Sequence, residues 1–121
     1  MKNQIENIIN WNKIAGNNDF NKHLEASMLS EEFAETIIAI KNKDKIEVLD
    51  WVCDMLIIGV WTLHKLWFTS EQISKAMDLI MDNNYSKFQY DEKWSHICIK
   101  DENWKILKPE WFTPVDLSYL V

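Results

Sequence analysis

The chain has 121 residues, 47% of them hydrophobic, and a formal net charge of −6. This length fits one domain over residues 1–121, and an acidic chain without a basic stripe excludes a binder of polymeric nucleic acid. No apolar run reaches the roughly 18 residues a membrane span needs, and the N-terminal MKNQIENIIN is polar and helical in pattern rather than a signal sequence. Cys53 and Cys98 are too far apart for a zinc pair and read as reduced thiols of a cytoplasmic protein.

Four helices are predicted in chain order. The first covers Lys2 to about Ala15, where Gly16 ends it. The second covers about Phe20 to Lys41. Asp44 with Glu47 three residues on gives a capping-box pattern that opens the third, which runs to about Trp67. Thr69 with Gln72 repeats the pattern and opens the fourth, which runs to about Asp82. Beyond it, SHICIK (95–100) alternates in the strand sense and can pair with WKIL (104–107) as a short β-hairpin. KPEWFTPVDL, with two prolines, reads as an extended tail pinned by Trp111 and Phe112. The expected class is all-α, a four-helix bundle with a small C-terminal hairpin or extended tail. The seven tryptophans suit either a core or an aromatic-lined pocket.

The third helix poses the chemical question. From Val48 to Leu63 its only polar side chains are Asp50, Asp54 and Thr62. At 100° per residue the two aspartates fall within about 40° of each other. A helix apolar all round is expected to be buried, and an unpartnered buried carboxylate costs several kcal/mol. The second helix supplies more acid. Leu29, Phe33, Ile37 and Ile40 form its main apolar stripe, and Glu32 and Glu35 lie on the flank. A short turn makes the two helices antiparallel neighbours, so Glu32 and Glu35 can face Asp50 and Asp54. Four converging carboxylates repel unless neutralised, and a hard divalent cation with oxygen ligands suits them: Mg²⁺, or Mn²⁺ in its place. A di-iron bundle would need Glu-x-x-His on two helices; His23, His64 and His96 do not stand three residues after a glutamate.

EEFAE, then fourteen residues, then DWVCD resembles the MazG-like all-α nucleoside triphosphate pyrophosphohydrolases, a superfamily that also holds dimeric dUTPases and phosphoribosyl-ATP pyrophosphohydrolases. Its Glu-x-x-Glu matches Glu32 and Glu35. The second pair departs from the common Glu-x-x-Asp, because Trp51 stands where the glutamate would precede Asp54. DWVCDMLIIGVW is similar instead to the phage and bacterial MazG-like branch, which puts Asp50 and Asp54 in the ligand roles. A second frame uses Glu47 and Asp50, ranked lower because Glu47 has a capping explanation. NNYSKF (83–88) and KILKPEWFTPVDL (105–117) resemble further motifs of that branch, so the likeness spans about residues 28–117.

The resemblance implies hydrolysis of a nucleotide between its α- and β-phosphates. Glu32, Glu35, Asp50 and Asp54 would hold Mg²⁺, and Glu35 or Glu31 would orient or deprotonate the water. Asn84 and Lys87 would contact sugar or phosphate. Trp61 could stack on the base, with Trp11 and His64 as further pocket residues. It also implies a homodimer or homotetramer. Two alternatives stay open: a phosphoribosyl-ATP pyrophosphohydrolase, and a helical regulatory module that has lost catalysis.

Overall fold

A computed structural model describes residues 2–90, 93, 96–97 and 99–121. The chain is mostly helical: α1 (Lys2–Ile14), α2 (Lys22–Lys41), α3 (Lys45–Lys65) and α4 (Ser70–Tyr85). It divides into two compact units, Met1–Ile73 and Ser74–Val121.

The first unit is built by its helix ends. Gly16, at φ 70°, closes α1, with Asn17 N–H reaching back to the Asn12 carbonyl. The second helix starts at Lys22 rather than Phe20, because the Asn21 side chain accepts from the backbone N–H groups of His23 and Leu24. Asp44 caps α3 by accepting from Ile46 and Glu47 N–H. The expected capping box there is only half formed, since the Asp44 N–H goes to the Ala39 carbonyl. At α4 the box is complete in both directions, Thr69 N–H to Gln72 and Gln72 N–H to Thr69. Lys43 and Trp67 occupy left-handed positions where glycine is favoured, at φ 55° and 71°.

Helix α3 packs mainly on α2 and less extensively on α1. Two contacts fix an antiparallel register: Glu25 pairs with Lys65, and Thr36 Oγ1, whose hydroxyl donates to the Glu32 carbonyl at 2.7 Å, lies 3.2 Å from Met55 Sδ. The core consists of Ile5 and Ile9 of α1, Ala39 of α2 and Ile58 of α3, joined by Ile73 of α4.

The stripe Leu29–Phe33–Ile37–Ile40 does not face the core: Phe33 is 57% exposed and Ile40 likewise, while Glu25, Thr36 and Ala39 are the buried α2 positions. Small Thr36 and Ala39 let α3 approach, and the large side chains are left on the outer flank. Nor is α3 covered all round. Ile46 (79% exposed), Leu49 (67%) and Leu56 face outward, on the sides of α3 away from its main packing against α2 and α1.

In the second unit, β1 (Gln89–Tyr90) pairs antiparallel with β2 (His96–Ile97). The expected hairpin of 95–100 with 104–107 is not formed as a ladder. Ser95 and Cys98 lie outside the described residues, and what connects the two stretches is a single bridge, Lys100 with Ile106. The turn between them is held by Asp101, whose carboxylate accepts from Asn103 and Lys105 N–H. In the tail Pro109 is buried and Phe112 half-buried, but Trp111 is 64% exposed and pins nothing.

Candidate functional site

The α2–α3 seam carries carboxylates at two levels. Toward the start of α2, Glu25 is buried and forms an ion pair with the equally buried Lys65. Burial alone would raise the Glu25 pKa. The Lys65 ammonium and the Asn21 N–H, which donates to Oε2 at 2.8 Å, outweigh it and hold the carboxyl below its usual range.

Two helical turns further along α2 the situation reverses. Glu32 is half-buried, and its Oε2 is enclosed with no hydrogen-bond partner among the described residues. Burial raises its pKa first, then the charges of Glu35, Asp54, Glu31 and Asp50. The charges that raise it are all carboxylates. The charges of Glu35, Asp54, Glu31 and Asp50 thus reach Glu32.

They do not all sit alike. Glu35 and Asp54 are half-buried, while Glu31 and Asp50 are exposed. The expectation that α3 offers Asp50 no solvated face is therefore corrected. In the Glu25–Lys65 and Thr36–Met55 register, Asp50 falls level with the last turn of α2 and Glu32 with Ile58 and Gly59. Glu35 consequently stands nearly level with Asp54, while Glu32 and Asp50 are displaced from one another along the seam. Among the described residues no three acidic, His or Cys side chains form a closed ligand set.

The acids instead border two clefts. One, of about 320 Å³, is lined by Asp54 and Ile57 with Trp61 of α3, and by Asn7, Ile8 and Trp11 of α1. Trp11 and Trp61 stack there with centroids 5.1 Å apart and planes 11° from parallel. The Trp61 Nε1–H is buried without an acceptor among the described residues. Asn7 was missed by sequence reasoning, since an asparagine on a polar helix carries no signal until α1 is placed beside α3. The other cleft, of about 240 Å³, is lined by Glu35, Ala39, Asn42, Asp44, Glu47 and Trp51, among others. Glu47 borders it beside Glu35, and its side chain does not return a capping bond to Asp44, whose N–H is taken by Ala39. The capping reason for ranking Glu47 low thereby weakens.

His64, named as a pocket residue, lies apart from the acids, its Nε2 3.0 Å from Asn18 Oδ1. Burial, then Lys13 and Lys65, lower its pKa. In the second unit, the Asn84 carbonyl accepts from the Lys87 N–H in the turn after α4, and the Lys87 ammonium lies over Phe112. Cys53 is an exposed free thiol, and no helix among the described residues is long and apolar enough to cross a membrane. Comparison with family models, curated proteins and solved structures returns no match to this chain.

Proposed function

We propose that the protein is a Mg²⁺-dependent nucleotide pyrophosphohydrolase, cleaving a nucleoside or deoxynucleoside triphosphate between its α- and β-phosphates to the monophosphate and pyrophosphate. One observation carries this reading: Glu32 is a half-buried carboxylate with one enclosed oxygen that has no partner among the described residues, and burial and four neighbouring carboxylates raise its pKa. A divalent cation with oxygen ligands supplies the missing charge. The sequence resemblance to MazG-like enzymes points the same way.

On this reading Glu32, Glu35, Asp54 and Asp50 hold Mg²⁺, or Mn²⁺ in its place. When bound, the metal would neutralise phosphate charge and acidify a water. Glu35 or Glu31 orients that water or takes its proton. Trp61, with Trp11 and Asn7, forms the seat of the base beside Asp54. Asn84 and Lys87 contact sugar or phosphate. Glu47 is the alternative ligand to Asp50, supported by its place beside Glu35.

A homodimer or homotetramer belongs to the same proposal. The outward Phe33, Ile38 and Ile40 of α2, with Ile46, Leu49 and Leu56 of α3, are too many large apolar side chains for an isolated surface. A monomeric mass by light scattering would remove this part.

The test is pyrophosphate release from a panel of NTPs and dNTPs, with Mg²⁺ and with EDTA. Turnover should require the metal. Asp54→Asn should lower it by roughly two orders of magnitude, the scale of losing one electrostatic contact to the transition state. Glu47→Gln beside Asp50→Asn identifies which of the two is a ligand. No release from any nucleotide by the folded protein would leave a helical binding module.

A further inference from the structure

A further cleft of the first unit, of about 490 Å³, lies where α1 passes the turn from α3 into α4. Its volume is in the roughly 300–1,000 Å³ range of small-molecule sites. Glu6, Ile9, Asn10 and Lys13 of α1 line it, with Trp67 and Phe68 of the turn, among others. His64 borders it too, about 15 Å along α3 from Asp54, so this space is separate from the acids.

Trp67 stands there against local preference. The third helix ends in a Schellman turn: Phe68 N–H bonds to the Leu63 carbonyl at 3.1 Å and Trp67 N–H to the His64 carbonyl at 2.9 Å. Such a turn favours glycine at its left-handed position, and Trp67 occupies that position at φ 71°. A bulky side chain is strained in this conformation. The indole gains little burial in return, being 86% exposed. The turn thus holds a flat aromatic ring on the rim of the cleft at a cost to the fold.

Charge is laid out along α1. Glu6, Asn10 and Lys13 follow at helical spacing on the side that lines the cleft, so the carboxylate and the ammonium lie two turns, about 10 Å, apart. Glu6 Oε1 accepts from Ser70 Oγ at 3.4 Å. Lys13 has no carboxylate within ion-pair distance among the described residues. His64 adds no charge at neutral pH, because burial, then Lys13 and Lys65, lower its pKa. Lys13 is therefore the one cation among the described residues lining the cleft.

We propose that this cleft binds a nucleoside monophosphate with an amino-bearing base, its ring stacked on Trp67, its phosphate on Lys13 and its amine toward Glu6. Such a molecule carries a hydrogen-bond donor at one end, an anion at the other and a flat ring, and a single ammonium suits a single phosphate. This deepens the pyrophosphohydrolase reading and rests on it only for the source of the ligand, which is that enzyme's class of product, held at a second place away from the acids.

The test is calorimetry with AMP and the full chain, in EDTA so that the acids hold no phosphate through a metal. Wild type should bind. Trp67→Gly should weaken binding about fivefold or more, the lower end of what a base stacked on an aromatic ring contributes. It should melt no lower than wild type, since glycine suits this backbone conformation. Lys13→Ala should weaken AMP about fivefold or more, as expected for one charge-assisted contact, and should leave adenosine, which lacks the phosphate, within about twofold. IMP, with a carbonyl in place of the amine, should bind more weakly than AMP. Trp61→Phe, in the cleft beside Asp54, should leave AMP affinity within about twofold. No binding by wild type, wild-type affinity in Trp67→Gly or Lys13→Ala, IMP binding equal to AMP, or an equal loss in Trp61→Phe would overturn the proposal. So would a Trp67→Gly protein that melts clearly lower, because the indole would then serve the fold. Binding with these dependences in a protein that hydrolyses no nucleotide would keep the cleft and defeat the enzyme reading. Turnover in a protein that binds no AMP in EDTA would do the reverse.

Discussion

The same pair of helices handles a carboxylate in two opposite ways. At one end of the α2–α3 seam, Glu25 is buried and the chain supplies its cation, Lys65, together with a backbone donor. Further along, Glu32 is half-buried, neighbouring carboxylates raise its pKa, and its enclosed Oε2 has no partner among the described residues. A carboxylate used for structure is neutralised from within the fold. One left at odds with its surroundings is a candidate for a ligand from outside.

The largest effect should come from breaking the structural pair. Lys65→Met leaves the Glu25 charge buried and uncompensated, which costs about 3–5 kcal/mol. Denaturant unfolding reads this directly. The double variant Glu25→Leu/Lys65→Met should recover most of the loss, because the penalty lies in the orphaned charge rather than in the absence of the pair. A double variant no better than Lys65→Met would contradict that account.

Glu32→Gln should do the opposite. The Glu32 carboxyl has a raised pKa in the fold, so its contribution to stability is largest when it is protonated and is lost as pH rises through the folded value. At neutral pH in EDTA the glutamine variant should therefore melt higher than wild type. If the acids hold a divalent ion, Mg²⁺ should raise the melting temperature of wild type and much less that of the variant. A variant that melts lower in EDTA would show that Glu32 has a partner in the fold.

His64 gives a smaller, pH-dependent effect. Its folded pKa is depressed, so stability is present above the ordinary histidine value of about 6.5 and is lost as pH falls below it. The difference in melting temperature between wild type and His64→Gln should shift against wild type on acidification. A constant difference would mean that His64 titrates as it does in the unfolded chain.

The smallest effect is at Gly59, which lies level with Glu32. A Cβ there meets nothing within 4 Å, and the residue is helical. Gly59→Ala should stabilise the protein by about 0.5–1 kcal/mol through helix propensity. A loss of turnover without loss of stability would mean that the open space beside the acids is used.

Much of the helix layout was legible from local chemistry. Gly16, Asp44 and the Thr69–Gln72 box mark helix ends because capping involves neighbours in sequence. Asn21 was missed as a cap, and its effect was a two-residue error in where α2 begins. On α2 the most apolar stripe is not the face that is buried. A stripe says that a face needs covering and not which neighbour covers it, and in this chain Thr36 and Ala39 took the seam. For the proposed site, residue type and spacing are what point to Glu32, Glu35, Asp50 and Asp54 as candidates.

The sequence by itself determined the four helices, the acid-rich second and third of them, and the short turn that makes these two antiparallel. These follow from periodicity, caps and loop length, which are local properties. Only the tertiary structure decided that Lys65 answers Glu25 and nothing in the described fold answers Glu32. It alone exposed Asp50, brought Asn7 and Trp11 to Asp54 and Trp61, and set Lys13 and Trp67 on one cleft. Those outcomes depend on the register between elements distant in sequence, which the side chains of both partners fix jointly and neither encodes alone.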